Sequence, residues 1–375
     1  ARKESYSKDS RNPSIEMGSF MDDMLRRDFT INTLALSLNT KTFGNLIDTF
    51  DGINDLEKGV ITTPTEPDKT FIDDPLRMLR AVRFACQLDF QIDKNTTKSI
   101  IKNSDRINIL SSERIADEIN KILMTKTPSN GFKNLEKLKI LDYIIPELID
   151  LKGIEEVEGQ THKDNFYHTL EVVDNISSKT DNLWLRWAAL LHDIGKSPTK
   201  KFNKKIGWTF HGHEHVGSKM VKQIFTRLKL PLNDTMKYVQ KIVMMSSRPI
   251  IIAEDIVTDS AVRRLIYDAG DSIDDLLTLC EADITTKNER KFEKYHNNFK
   301  IVREKIKIVE EKDNIRNFQP PVTGEIIMKH FKIGPCKEIG IIKDEIKNAI
   351  LDGEIKNNYK SAFNLMKIKG KSLGL

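Results

Sequence analysis

Eleven consecutive residues constrain this chain more than any others: Asp73-Asp74-Pro75-Leu76-Arg77-Met78-Leu79-Arg80-Ala81-Val82-Arg83. Pro75 stands where a first-turn proline belongs, with Asp73 or Asp74 as cap, and Leu76, Leu79, Val82 and Ala85 form part of an apolar stripe at helical spacing. Arg77, Arg80 and Arg83 then advance three residues at a time along one slowly drifting face, with Asp74 one turn ahead of Arg77. A carboxylate accepts from amino groups, and a guanidinium donates to carbonyl and ring-nitrogen acceptors, so such a pair can read the edge of a base. On spacing alone the same residues also suit a surface ladder of ion pairs.

A second block, Arg26-Arg27-Asp28-Phe29-Thr30-Ile31-Asn32, sets two guanidinium groups, a carboxylate and an amide around a short apolar spacer. These groups suit phosphates and ribose. The alternation in Thr30-Ile31-Asn32-Thr33-Leu34-Ala35-Leu36-Ser37-Leu38 predicts a half-buried strand, and Val60-Ile61-Thr62 another, so residues 1 to about 60 read as a partial α/β or α+β unit. From residue 73 to 150 the period is helical, with a helix starting at Ser112 and two short helices over 128–149. Residues 160–310 are helical again and hold seven of the eight histidines. After the break at Phe318-Gln319-Pro320-Pro321 come a helix, a turn at Gly334-Pro335 and a helix ending near Asp352-Gly353.

Charge is uneven. Residues 287–375 carry 20 Lys and Arg against 12 Asp and Glu, more than the whole chain's net charge of +5. A polyanion would be drawn to that end, although a lysine-rich solvated surface reads the same way. No run approaches a membrane span, and the opening Ala1-Arg2-Lys3-Glu4-Ser5 lacks a signal peptide's apolar core, so a cytoplasmic protein is expected. Cys86, Cys280 and Cys336 are widely spaced and without metal-ligand spacing, which predicts reduced thiols.

The two arginine blocks carry a resemblance. The chain resembles the tRNA nucleotidyltransferases, that is, the CCA-adding enzymes and related poly(A) polymerases of the bacterial and eukaryotic class within the polymerase-β-like superfamily, over nearly its whole length. Arg26 through Asn32 resembles that family's RRDxxxN motif, and Asp73-Asp74-Pro75-Leu76-Arg77 its EDxxR motif with Asp73 in place of Glu. Asp51-Gly52 with Asp55-Leu56 is similar to the hinge between head and neck, and residues 112–118 to the helix-stabilising motif that follows. The resemblance implies transfer of CMP and AMP from CTP and ATP to the 3′ end of tRNA. It assigns nucleotide binding to Arg26, Arg27, Asp28, Asn32, Asp74, Arg77, Arg80 and Arg83. Base choice would rest on Asp74 and Arg77. It also implies Mg²⁺ on a DxD carboxylate pair, and neither that pair nor the glycine-rich GGxVRD stretch occurs in these residues, so no catalytic residue is assigned. The opening reads like the middle of a strand-and-loop region, and a head lacking roughly its first hundred residues is expected.

His168, His192-Asp193, His211, His213 and Asp283 follow the order H…HD…H…D, which resembles the HD phosphohydrolase superfamily. That resemblance implies His168, His192, Asp193 and Asp283 as core ligands, extended by His211 and His213, for Mn²⁺, Fe²⁺, Ni²⁺ or Zn²⁺. Before Arg248-Pro249, where related sequences commonly carry another histidine, this chain reads Met244-Met245-Ser246-Ser247, which points away from a binuclear site. The fold expected is mainly α with a truncated α+β nucleotidyltransferase head, an elongated multi-domain helical array. Its parts are the head (1–60), a nucleotide- and RNA-binding neck (61–155), an HD-type helical domain (156–317) and a tRNA-binding helical tail (318–375). A stand-alone metal phosphohydrolase and a non-catalytic RNA-binding scaffold are the two other readings.

Overall fold

Helices dominate a computed structural model of the chain, which describes residues 1–5, 14–254, 258–313, 315–316 and 318–375. They form two compact units, Ala1–Met244 and Met245–Leu375, and the division falls inside the third of the four parts read from sequence.

In the first unit an antiparallel hairpin, Arg2–Ser5 with Ser14–Met17, leads into helix Phe20–Leu25. Ser19 and Asp22 cap that helix reciprocally, each satisfying a donor of the other. The strand expected over 30–38 is not there. Thr30–Asn32 forms a 3₁₀ turn, and only Ala35–Leu36 pairs, with Leu46–Ile47. The Thr33 hydroxyl donates to the Thr30 carbonyl at 2.6 Å, the Thr30 hydroxyl donates to Asp55 at 2.6 Å, and the Thr30 amide is taken by the Thr62 carbonyl. Side-chain bonds of this kind compete with a strand ladder, and alternation of apolar residues does not reveal them. Helix Gly52–Lys58 packs on this turn so closely that a Cβ at Gly52 would lie 2.4 Å from the Thr30 carbonyl oxygen.

Helix Pro67–Asp73 is separated from helix Leu76–Leu88 by Asp74 and Pro75 alone. Pro75 therefore sits at the N-cap rather than in the first turn, one position earlier than its sequence suggested. Asp74 is extended (φ −142°, ψ 99°), as a residue before proline should be, and its Oδ1 accepts from the Leu76 amide at 3.1 Å. The apolar stripe of this helix, Met78, Leu79, Val82 and Ala85, is buried with Ile115, Ile119 and Ile122 of helix Ser112–Leu123 and Phe132 and Leu135 of helix Pro128–Lys137. Gly131 allows the close approach there, since a Cβ would meet Ile122 at 2.3 Å. Residues 128–149 hold three helices, not two: Pro128–Lys137, Leu141–Ile144 and Pro146–Ile149.

Helices Asn165–Ser177, Leu183–Leu191 and His213–Arg227 continue the same unit, with two hairpins, Glu156–Val157/Gln160–Thr161 and Lys201–Asn203/Gly207–Thr209. Trp187 is fully buried and its indole donates to Asn120. Arg186 is 2% exposed, with its guanidinium donating to the carbonyls of Leu123, Thr125, Ser177 and Thr180. These are orphan carbonyls at the ends of helices Ser112–Leu123 and Asn165–Ser177, so one buried cation closes both.

The second unit is built on the long helix Glu289–Asp313, which packs against Arg248–Glu254 and Asp259–Ala269. Val302, Ile306 and Val309 fill its core with Val262, Leu265 and Ile266. Helices Gly324–Phe331 and Lys337–Asp352 follow, the latter ended by Gly353 in the left-handed region. A further helix, Tyr359–Ser372, follows the one whose end was expected near Asp352-Gly353. All three cysteines are free thiols, as their spacing predicted.

Replacing Arg186 by Ala leaves two buried and two partly buried carbonyls short of donors, and a loss of about 3–5 kcal/mol is expected from urea unfolding of the variant. A change under about 1 kcal/mol would mean that water replaces the guanidinium without cost.

Candidate functional site

The two arginine blocks meet. From the helix Leu76–Leu88, Arg77 donates to the Arg26 carbonyl at 2.6 Å and to the Thr70 carbonyl at 3.4 Å, and Arg80 pairs with Asp28 at 2.6 Å. Asp28 is 8% exposed and shares its other oxygen between the Asn32 side-chain amide (2.9 Å) and the Phe29 backbone N–H (3.1 Å). Asn32 in turn offers its carbonyl to Arg27 at 2.8 Å. Phe84 lies below the Arg80 and Arg83 guanidinium groups and meets Phe29 edge-on at 5.9 Å. Arg83 spends its donors on buried Glu118 (2.6 Å) and on Gln87 (2.9 Å), tying helix Leu76–Leu88 to Ser112–Leu123. Asp74 stands half-buried at the head of the helix, one turn before Arg77.

Asp23 is a member of this group that sequence reasoning missed. It binds both Arg26 and Arg27, and its spacing of three and four residues from them was the available signal. Burial works against its ionisation, yet the hydrogen bonds from Arg26 and Arg27 hold its carboxyl below the usual range. At Asp73 burial wins over the nearby cations Arg77, Lys69 and Arg106, and the carboxyl is pushed up.

A second constellation centres on Asp193. His168 comes from the first turn of helix Asn165–Ser177, His192 caps the end of Leu183–Leu191, and His213 starts His213–Arg227. Their Nε2 atoms lie 3.7, 3.4 and 3.6 Å from the Asp193 carboxylate. The Nδ1 atoms of His192 and His213 face the carbonyls of Ala189 (2.8 Å) and Phe210 (3.0 Å), so these nitrogens carry protons and Nε2 is the atom each ring turns toward Asp193. Gly195 permits this convergence, because a Cβ there would lie 2.1 Å from the His213 carbonyl oxygen. Lys196, unrecognised in the sequence, reaches Asp193 at 2.6 Å. Burial opposes the charge on Asp193, but His192, Lys196 and His168 keep its carboxyl well below the usual range. The donor set of imidazoles and one anionic oxygen fits a first-row divalent cation. His211 is exposed on the turn before this helix, and Asp283 belongs to the second unit, where it closes helix Ile273–Ala282.

Three family descriptions match the chain in order: poly A polymerase head domain over residues 1–62, probable RNA and SrmB-binding site of polymerase A over 89–151, and HD domain over 165–288. The A-adding tRNA nucleotidyltransferase of Deinococcus radiodurans is 33% identical over 270 residues, covering 70% of this chain and 59% of that protein. The chain belongs to the tRNA nucleotidyltransferase and poly(A) polymerase family. A multifunctional CCA protein of Shewanella frigidimarina is 34% identical over 217 residues, 56% of this chain and 50% of the relative. The chain thus spans about half to three-fifths of the length of these relatives. In fold it is similar to the Bacillus stearothermophilus CCA-adding enzyme solved with CTP, with TM-score 0.64 and 20% identity over 98% of this chain and 78% of that one. The Thermotoga maritima CCA-adding enzyme solved with tRNA is similar at TM-score 0.53 and 21% identity, over 94% and 74% of the two chains.

If the family's two arginine blocks are energetically joined through Asp28 and Arg80, Asp28→Ala and Arg80→Ala should be non-additive. A coupling energy of about 1 kcal/mol is expected from a double-mutant cycle in urea. Additivity within about 0.3 kcal/mol would show the pair to be two independent surface charges.

Proposed function

We propose that the chain acts in template-independent transfer of CMP and AMP from CTP and ATP to the 3′ end of tRNA, with release of pyrophosphate. The observation that carries this reading is the contact of Arg77 and Arg80 with Arg26 and Asp28, which sets the acid–arginine pair at 74 and 77 against the block suited to ribose and phosphate. Cytosine and adenine each present an amino group beside a ring acceptor, and these match a carboxylate and a guanidinium. Guanine and uracil put a carbonyl where the amino group should be. An unmet hydrogen bond in a dry pocket discriminates about 10²-fold or better. Arg26, Arg27 and Asn32 serve the phosphates and ribose, Asp28 and Arg80 hold that block to the reading helix, and Arg83 stiffens the helix through Glu118. The lysine-rich end of the chain serves the tRNA backbone, and on this reading the protein works in the cytoplasm. No helix among the described residues is long and apolar enough to cross a membrane.

The Mg²⁺ chemistry of this reaction is not assigned to these residues. Asp22 accepts from Ser19 in the helix cap and Asp23 is held by two arginines, so the adjacent pair does not fit a metal-binding role, and no step is routed through it.

Isothermal titration tests the base-reading assignment. ATP and CTP are expected to bind about 10²-fold more tightly than GTP and UTP, and Asp74→Asn or Arg77→Ala to remove that preference. Equal affinity for all four nucleotides in the unmodified protein overturns it.

The cluster on Asp193 favours a second activity. We infer that His168, His192, Asp193 and His213 hold a first-row divalent cation and that the centre serves phosphoester hydrolysis, for which such a cation would lower the pKa of a water and polarise the phosphate. Lys196 adds positive charge beside it for a phosphate. Protein purified without chelators or a histidine tag should carry about one equivalent of Mn, Fe, Ni or Zn by plasma mass spectrometry, lost in His192→Ala. Less than about a tenth of an equivalent sinks this reading.

A further inference from the structure

We infer that the two short hairpins next to the Asp193 centre form a stacking platform for a nucleobase, so that what the centre takes is a phosphate carrying an unpaired base. The inference rests on the reading of that centre as a phosphoester site and adds the part of the ligand that the imidazoles and carboxylate do not address.

Four aromatic rings gather between the hairpins. His162 meets Trp208 at 5.1 Å and Phe210 at 6.1 Å, both edge to face, and Phe202 meets Trp208 at 5.3 Å. All four are half-buried, whereas Trp187 in the neighbouring helices is fully enclosed. His162 is not a ligand in waiting. Its Nδ1 faces the Lys163 carbonyl at 2.8 Å and its Nε2 accepts from the Glu155 amide at 3.3 Å, so both ring nitrogens already have partners and the remaining asset is the π surface. The Trp208 indole N–H donates to the Gln160 carbonyl at 3.1 Å, pinning one hairpin to the other.

Cations surround these rings. Lys200 lies 5.6 Å from the Trp208 ring centre, and Lys196 lies 5.7 Å from that of Phe210. Lys204 and Lys205 are exposed in the turn between Lys201–Asn203 and Gly207–Thr209. Phe210 and Lys196 join the platform to the centre, since the Phe210 carbonyl holds the His213 ring and the Lys196 ammonium bonds Asp193. Partly open aromatic surfaces interleaved with lysines are what binds single-stranded nucleic acid without sequence preference: the base stacks and the ammonium groups meet phosphate. Lys200 and Lys204 also pair with Glu155 (2.5 Å) and Glu158 (3.9 Å) of the facing segment, but a core built only to hold two hairpins together requires neither the exposed Lys205 nor the direct continuity with the imidazoles.

Guanosine 5′-monophosphate is the probe of choice, because the acid–arginine pair at 74 and 77 is not expected to accept guanine. Tryptophan fluorescence is titrated with GMP, with ribose 5-phosphate and with the tetranucleotide UUUG, in parallel with Mn²⁺ stoichiometry by mass spectrometry. GMP should bind about tenfold more tightly than ribose 5-phosphate, within the range a single base–aromatic stack supplies. Trp208→Ala should bring the two within about twofold, and Trp208→Phe should keep most of the difference, with circular dichroism confirming that both variants are folded. Tighter binding of UUUG than of GMP identifies a strand end as the ligand, and equal binding a free nucleotide; either supports the platform. Mn²⁺ bound with no preference for GMP over ribose 5-phosphate overturns the platform alone. A base preference without bound Mn²⁺ overturns the metal reading of the centre alone.

Discussion

Two guanidinium groups on one helix, three residues apart, hold the helix Leu76–Leu88 to the segment Arg26–Asp28. Arg77 satisfies a backbone carbonyl and Arg80 a buried carboxylate, and both targets lie within the segment Arg26 to Asp28. A charge-assisted bond to a half-enclosed partner is stronger than a neutral one, and its loss leaves an uncompensated group behind. The geometry of everything that touches a nucleotide on the proposed reading follows from these contacts. They fix Asp28, which fixes Asn32, which fixes Arg27.

Buried arginine recurs as a building principle. Arg83 with Glu118 joins two helices of the neck, and Arg186 closes the ends of two others. A guanidinium cannot discharge its proton to escape burial, so each must be fully bonded or the packing fails. At Arg186 burial lowers the pKa, with Asp181 opposing, and the ring of carbonyl acceptors meets the charge instead. The Asp193 centre applies the same logic in reverse, as an enclosed anion surrounded by imidazoles and an ammonium.

Much of this was legible from residue spacing. The stripe Leu76, Leu79, Val82 and Ala85 declared the helix, although Leu76 is half-buried and Met78 joins the core, and of the residues in the order H…HD…H…D the fold gathers His168, His192, Asp193 and His213. What escaped was decided by contacts distant in sequence or by side-chain bonds to the backbone. The turn at Thr30 is imposed by Asp55 and Thr62, which no window of nine residues contains. Helix Tyr359–Ser372 buries chiefly Ala362, Met366 and Gly370, too little apolar mass among the lysines to stand out. Lys196 and Asp23 were hidden for another reason: a charged residue three or four positions from an opposite charge is common on any helix. Both are half-buried, and their partners distinguish them: Asp23 holds two arginines and Lys196 a buried carboxylate.

The carbonyls that Arg186 satisfies belong to two separate segments that both precede it in the chain, and the pair at residues 123 and 125 ends the helix Ser112–Leu123. A neck cut away before residue 186 would therefore expose the end of its own helix, and a body expressed without the neck would carry an enclosed charge with half its acceptors gone. Boundaries drawn by sequence similarity do not correspond to separable pieces here. A truncation that keeps this contact whole holds residues 123–186 together.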